Sequence, residues 1–189
     1  MKRRAALTVL AALSILGLAA CGSGGGPQPS PPASHTTAPS SAPVHTAQPG
    51  EPALIAVPGY DYANITGGGV PSAKDVIKSD RQHLQSASVH MVLHQGNIIG
   101  ALALIQVKPH YANLPGLPQA MTTSFASELA GPGAKVSTET IHTQKVTIAR
   151  DGSTATYCWY HTGTVTTVTG DSGPHIRDFV EAYLTTAHA

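Results

Sequence analysis

The stretch Tyr157-Cys158-Trp159-Tyr160-His161 sets a thiol, an indole, two phenols and an imidazole within five positions. A thiol beside an imidazole can serve as nucleophile and base if both reach the same point and something depresses the thiol's pKa. The Thr- and Val-rich surroundings instead predict a strand over 154–161, in which alternate side chains leave on opposite faces. Tyr157, Trp159 and His161 then share one face, and Cys158 and Tyr160 share the other. Cys158 and His161 cannot act on each other in that arrangement. No Lys or Arg lies between Arg150 and Arg177 to stabilise a thiolate. The expectation is a buried, inert Cys158, with Trp159 a core or groove residue.

The ten histidines raise metal binding next. His90 and His94 are four apart, a spacing that suits zinc when both stand on one helix face. Their context, Val89-His90-Met91-Val92-Leu93-His94, reads as a strand, where positions four apart lie roughly 13 Å from each other. That is too far for one ion, and solvent-facing strand histidines are expected. His142 or His161 on neighbouring strands could complete a site with one of them. The sequence carries no Gly-x-Ser-x-Gly elbow, phosphate-binding loop or dinucleotide fingerprint. No catalytic residue, metal or cofactor is assigned on these grounds. His90, His94, Trp159 and His161 stand as candidates for a surface or groove.

The elements that must position these residues alternate between two periodicities. Ala53 to Val57 is a short apolar run before the turn residues Pro58-Gly59. Ser72 and Asp75 have the spacing of a capping box, and Ala73, Val76, Ile77 and Leu84 follow at helical intervals, predicting a helix over 73–86. Val89–Leu93 and Ile98–Val107 flank Gln95-Gly96-Asn97 as a hairpin. The second strand is apolar on both faces, with Ile98, Leu102 and Leu104 on one and Ile99, Ala101, Ala103, Ile105 and Val107 on the other. Such a strand belongs in the middle of a covered sheet. Leu117, Met121, Phe125 and Leu129 mark a helix stripe that Gly131-Pro132-Gly133 ends. Three or four antiparallel strands follow, at about 135–142, 144–149, 154–161 and 164–169. Pro174 opens a last helix whose inner face is Ile176, Phe179, Val180, Tyr183 and Leu184.

Ahead of this lies a different kind of sequence. Lys2, Arg3 and Arg4 precede an uncharged, mostly apolar run from Ala5 to Ala20 that ends in Leu18-Ala19-Ala20-Cys21. The length and the small-residue exit are those of a signal peptide over 1–20. Leu18-Ala19-Ala20-Cys21 resembles the lipobox of bacterial lipoproteins. That resemblance implies a Cys21 that receives a diacylglyceryl group and becomes the first mature residue. It also implies a protein held at the outer face of the cell membrane. Residues 22–50 contain no charged side chain and are rich in Pro, Ser, Thr and Gly. With no large apolar face to bury, 21–50 is expected to be a disordered linker behind the lipidated cysteine.

One domain is expected over 51–189, an α+β fold with an antiparallel sheet and about three helices packed on it. Its element order is similar to that of the PsbP-like ectodomains of actinobacterial lipoproteins, which implies a binding or accessory role more than one particular chemistry. Eight basic residues face ten acidic ones here, a net of about −2 with His neutral. Without a basic patch, nucleic acid is not an expected partner. With Cys21 lipidated, Cys158 would be the sole thiol, and no intrachain disulfide would form. The functional expectation is a non-catalytic module meeting a lipid, a wall component or another exported protein. The alternative is a cell-envelope enzyme whose residues meet only in three dimensions.

Overall fold

A computed structural model describes residues 52–64 and 72–187. The Leu18–Cys21 motif, the linker and the termini of the expected domain lie outside the described residues. The described chain is a mixed α+β fold in which strands dominate. Seven antiparallel strands form one sheet: β1 (Tyr60–Asn64), β2 (Leu84–His94), β3 (Asn97–Val107), β4 (Lys135–Ile141), β5 (Gln144–Asp151), β6 (Thr154–His161) and β7 (Thr164–Asp171). Their order across the sheet is β1-β2-β3-β7-β6-β5-β4. The helices among the described residues are α1 (Ala73–Ser79), the single turn α2 (Pro109–Ala112), α3 (Leu117–Ala130) and α4 (Pro174–Ala187).

Two cores sit on the two faces of the sheet. One joins α4 to Val92, Leu102, Leu104, Tyr157, Trp159 and Val168, with Leu54, Ile55 and Val57 alongside. The other joins α1 and α3 to Leu84, Ala87, Ile105, Val107, Cys158 and Val165. The doubly apolar β3 is therefore an interior strand, packed from both sides.

Contacts made by α4 reveal how the sheet is bent. Phe179 meets Tyr60 and Tyr62 of β1, with ring centroids 5.0 and 6.2 Å apart. Two residues away on the same helix, Arg177 bonds Glu139 of β4 at 2.5 Å. A flat sheet would set these two edge strands about 29 Å apart. A helix with its side chains is only about 10–12 Å across. The sheet is curled around α4, which fills its concave face.

Several elements differ from the sequence expectation, each for a local reason. Ala53–Val57 is not a strand; it runs irregularly along the concave core, and the first strand follows the Pro58-Gly59 turn. Ser72 caps α1 as expected, its hydroxyl accepting the Asp75 N–H. The helix nevertheless stops at Ser79 instead of reaching residue 86. Lys108 Nζ donates to the carbonyls of Arg81 and Gln82, at 2.7 and 3.2 Å, and holds a turn there. Leu84 is buried as the first residue of β2.

On β3, Val92 pairs with Gly100 but Leu93 pairs with Ile98, so Ile99 is an extra residue. This bulge turns Ile99 to the α4 side and leaves Ile98 61% exposed, the reverse of strict alternation. On α3, a stripe of residues four apart winds round the helix by roughly 40° per step. Met121 is buried, but Leu129 at its far end is 36% exposed, and the inner face is completed by Thr122, Ala126 and Ala130. Strands β4 to β7 lie within two residues of their expected bounds, and α4 starts at Pro174 as expected.

Candidate functional site

The cluster at residues 157–161 is divided by the pleat. Tyr157 and Trp159 face α4, where the Trp159 ring stands at 62° to that of Tyr183 with centroids 5.7 Å apart. Cys158 and Tyr160 face α3. Cys158 is 0% exposed and faces Thr147 and Thr167 on the flanking strands. Burial pushes its thiol well above the ordinary range, which keeps it protonated. Tyr160 donates its hydroxyl to the carbonyl of Ala112 at 2.7 Å, tying β6 to the end of α2. His161 is exposed at the last position of β6.

Three of the four candidate residues meet in one aromatic array built on α4. At its outer end, the rings of His94 and His175 are 5.9 Å apart, and Tyr60 stands 5.0 Å from His94. Nδ1–H of His94 donates to the carbonyl of Gly59 at 3.1 Å, which fixes that tautomer. The array continues inward through Phe179 to Tyr62, whose ring is 6.3 Å from His90. It continues along α4 through Tyr183 to Trp159. His90 is only 3% exposed, which corrects the solvent-facing expectation. Strand β1 pairs directly beside it and Tyr62 reaches over it from that strand.

His161 stands apart. Gly170 pairs with both Gly100 and Ala155, which places the β2–β3 turn at the start of β6, so His161 is at the opposite end of the sheet from His94. His142 also lies at that opposite end, in the β4–β5 turn, with Nε2 3.0 Å from Thr185 Oγ1. Neither completes a site with His90 or His94. Among the described residues no three His, Cys, Asp or Glu side chains gather where they could hold a metal ion.

The phenols of the array are held neutral. Burial, and secondarily the Tyr183 phenol, raises the Tyr62 pKa, and Tyr62 donates to the Ile55 carbonyl at 2.9 Å. Burial alone pushes Tyr183 up to about 12. Burial also raises Tyr60 at the rim, with a smaller contribution from the Asp178 carboxylate. What this arrangement offers chemically is a stacking and hydrogen-bonding surface at its exposed end, where Tyr60, His94 and His175 converge.

A second polar arrangement escaped the sequence reading. Nδ1–H of His83 donates to both oxygens of Asp80, at 2.7 and 2.8 Å. The His83 ring lies edge-on to Tyr111 at 4.6 Å. The signal in the sequence is an Asp three residues ahead of a His, which the helical spacing over 73–86 hides. The pair closes the turn between α1 and β2, the turn that Lys108 holds from the other side.

Comparisons of the chain with protein families, characterised proteins and solved structures find no match to any of them.

Proposed function

We propose that this chain is an exported lipoprotein, anchored to the outer face of the cell membrane through Cys21, whose α+β ectodomain is a non-catalytic binding or accessory module. On this reading a signal peptide over 1–20 is removed and 21–50 is a disordered tether. That tether would span about 30 Å as a coil and roughly 90 Å as polyproline II. The Leu18-Ala19-Ala20-Cys21 sequence behind a charged n-region supports the anchor. Stable anchoring needs more than one acyl chain, as the lipobox resemblance implies.

The observation that carries the non-catalytic reading is the fate of residues 157–160. Each reactive group there has a packing or tethering role: Cys158 and Trp159 in opposite cores, Tyr160 on the Ala112 carbonyl. The order of elements, similar to PsbP-like ectodomains, supports the same class. The rim of Tyr60, His94 and His175 is the surface we assign to the partner, of lipid, wall or exported-protein origin. The Asp80–His83 pair favours a second reading, an envelope enzyme with an oriented imidazole. A His83→Ala variant that loses stability alone supports the module; one that loses a hydrolytic activity of the wild type supports the enzyme.

The anchor is tested by metabolic labelling with a radiolabelled fatty acid. The wild type should incorporate label and fractionate with membranes, and Cys21→Ala should do neither. Equal labelling of the two would overturn the assignment.

A further inference from the structure

Strand β4 is a sheet edge, and its geometry fits a second copy of itself. A two-residue turn joins it to β5, so Ile141 and Gln144 form the closing hydrogen-bonded pair. The antiparallel alternation then turns the backbone groups of residues 135, 137, 139 and 141 toward β5. Val136, Thr138 and Thr140 turn three N–H and three C=O groups outward. No described residue bonds them.

Proline or a bulge at the outward backbone positions commonly blunts a natural edge. Here those positions hold Val, Thr and Thr, they are exposed (Val136 44%), and the register with β5 runs without a bulge from Lys135 to Ile141. The charges of the strand, Lys135 and Glu139, share the α4 face instead. Glu139 is bonded there by Arg177, which also bonds Glu181 at 2.8 Å. One guanidinium between two carboxylates leaves a net charge of −1.

We infer that β4 pairs antiparallel with β4 of a second copy about a two-fold axis at Thr138, joining two sheets into one. This register sets Thr138 against Thr138 and Val136 against Thr140. All six outward groups of each copy are then satisfied. On the α4 face, Ser137 opposes Glu139 and Lys135 opposes Ile141, so no like charges meet. Lys135 of each copy lies diagonal to Glu139 of the other, within reach of a long side chain. It brings one positive charge to a group that carries one excess negative charge. Self-complementarity in hydrogen bonding and in charge is what selects a second copy over an unrelated extended peptide.

The test is disulfide trapping in cells expressing the full-length chain, read on non-reducing gels above the level of the unsubstituted protein. Thr138→Cys should give a homodimer, because hydrogen-bonded partners have Cα atoms about 5.5 Å apart, inside the range a disulfide spans. Thr140→Cys, also exposed, should give at least tenfold less alone and recover when Val136→Cys is added. Lys135→Glu in the Thr138→Cys background should lower the yield several-fold, since it sets a carboxylate against the negative triad. Equal yields from Thr138→Cys and Thr140→Cys would overturn the inference, as would trapping of Thr138→Cys to another protein in place of itself. As a second measurement, the unsubstituted chain should sediment as a concentration-dependent dimer; a monomer throughout would also overturn it.

Discussion

Gly100 of β3 and Gly170 of β7 face each other across the sheet, and Ile176 of α4 rests directly on both. A Cβ on Gly100 would lie 2.6 Å from Ile176 Cδ1 and 2.5 Å from the Thr169 carbonyl oxygen. One on Gly170 would lie 2.8 Å from the same Cδ1. The missing side chains let the first turn of α4 sit close on the sheet next to the Ile99 bulge, where Tyr60, His94 and His175 meet.

Gly100→Ala should therefore destabilise the fold by about 1–3 kcal/mol, the usual cost of overpacking a close contact. Part of the obstruction is backbone, which a rotamer change cannot relieve. Thermal unfolding followed by circular dichroism should show a melting temperature several degrees lower. Gly173→Ala is the comparison: a Cβ there meets nothing within 4 Å, so only the poorer capping of α4 by Ala remains and the melt should fall by less than in Gly100→Ala. Equal melts for Gly100→Ala and wild type would show that α4 is not held at this distance.

The sequence pattern revealed those parts of the fold that local chemistry dictates. Gly152-Ser153 and Thr162-Gly163 mark the β5–β6 and β6–β7 junctions, and α4 has a Pro at its start and one apolar face, so these parts were legible. What escaped depended on other segments. The end of α1 is set by Lys108, about thirty residues downstream, whose ammonium holds the Arg81 and Gln82 carbonyls. The reversal of Ile98 and Ile99 depends on a bulge that only pairing with β2 creates. Trp159 and His94 could be singled out by type, but their membership of one array could not. It requires the curl of the sheet that brings β1 and β6 to the same helix. His90 was misjudged for the same reason, since nothing local says that Tyr62 lies over it.

Alkaline pH should destabilise the concave core. Burial raises the Tyr183 phenol from 10.0 in the unfolded chain to about 12 in the fold. Between those values the unfolded chain gives up a proton that the folded chain keeps, so stability falls as pH rises. The contribution is fully present below pH 10 and lost toward pH 12; Tyr62 is shifted in the same direction. A shift of this size corresponds to about 2–3 kcal/mol in full. Urea unfolding at pH 8 and at pH 10.5 should show the wild type losing stability over this interval. Tyr183→Phe, which has no phenol to titrate, should lose less. Parallel losses in both proteins would show that Tyr183 titrates alike folded and unfolded.

Cys158 offers the sharpest check on how residues 157–161 are used. Its side chain is enclosed between β6 and α3 with Ala126 and Val165 in the same core, and burial keeps the thiol protonated. Only the thiolate attacks electrophiles, and no reagent can reach this one without opening the core. A thiol reagent should therefore modify Cys158 slowly in the native protein, at a rate set by local or global unfolding, and fast in denaturant. Cys158→Ala should cost about 1–2 kcal/mol through the small void it leaves. Cys158→Ser should cost a similar amount, because oxygen fills less of the space than sulfur while the buried Thr147 and Thr167 stand opposite as partners for the new hydroxyl. Both variants should retain whatever binding the Tyr60–His94–His175 rim supports, since Cys158 lies on the opposite face of the sheet from that array. Mass spectrometry of the labelled peptide, sampled over time at pH 7.5, separates Cys158 from Cys21. Native labelling as fast as that of the denatured chain would make residues 157–161 a reactive site and remove the main support for a non-catalytic module.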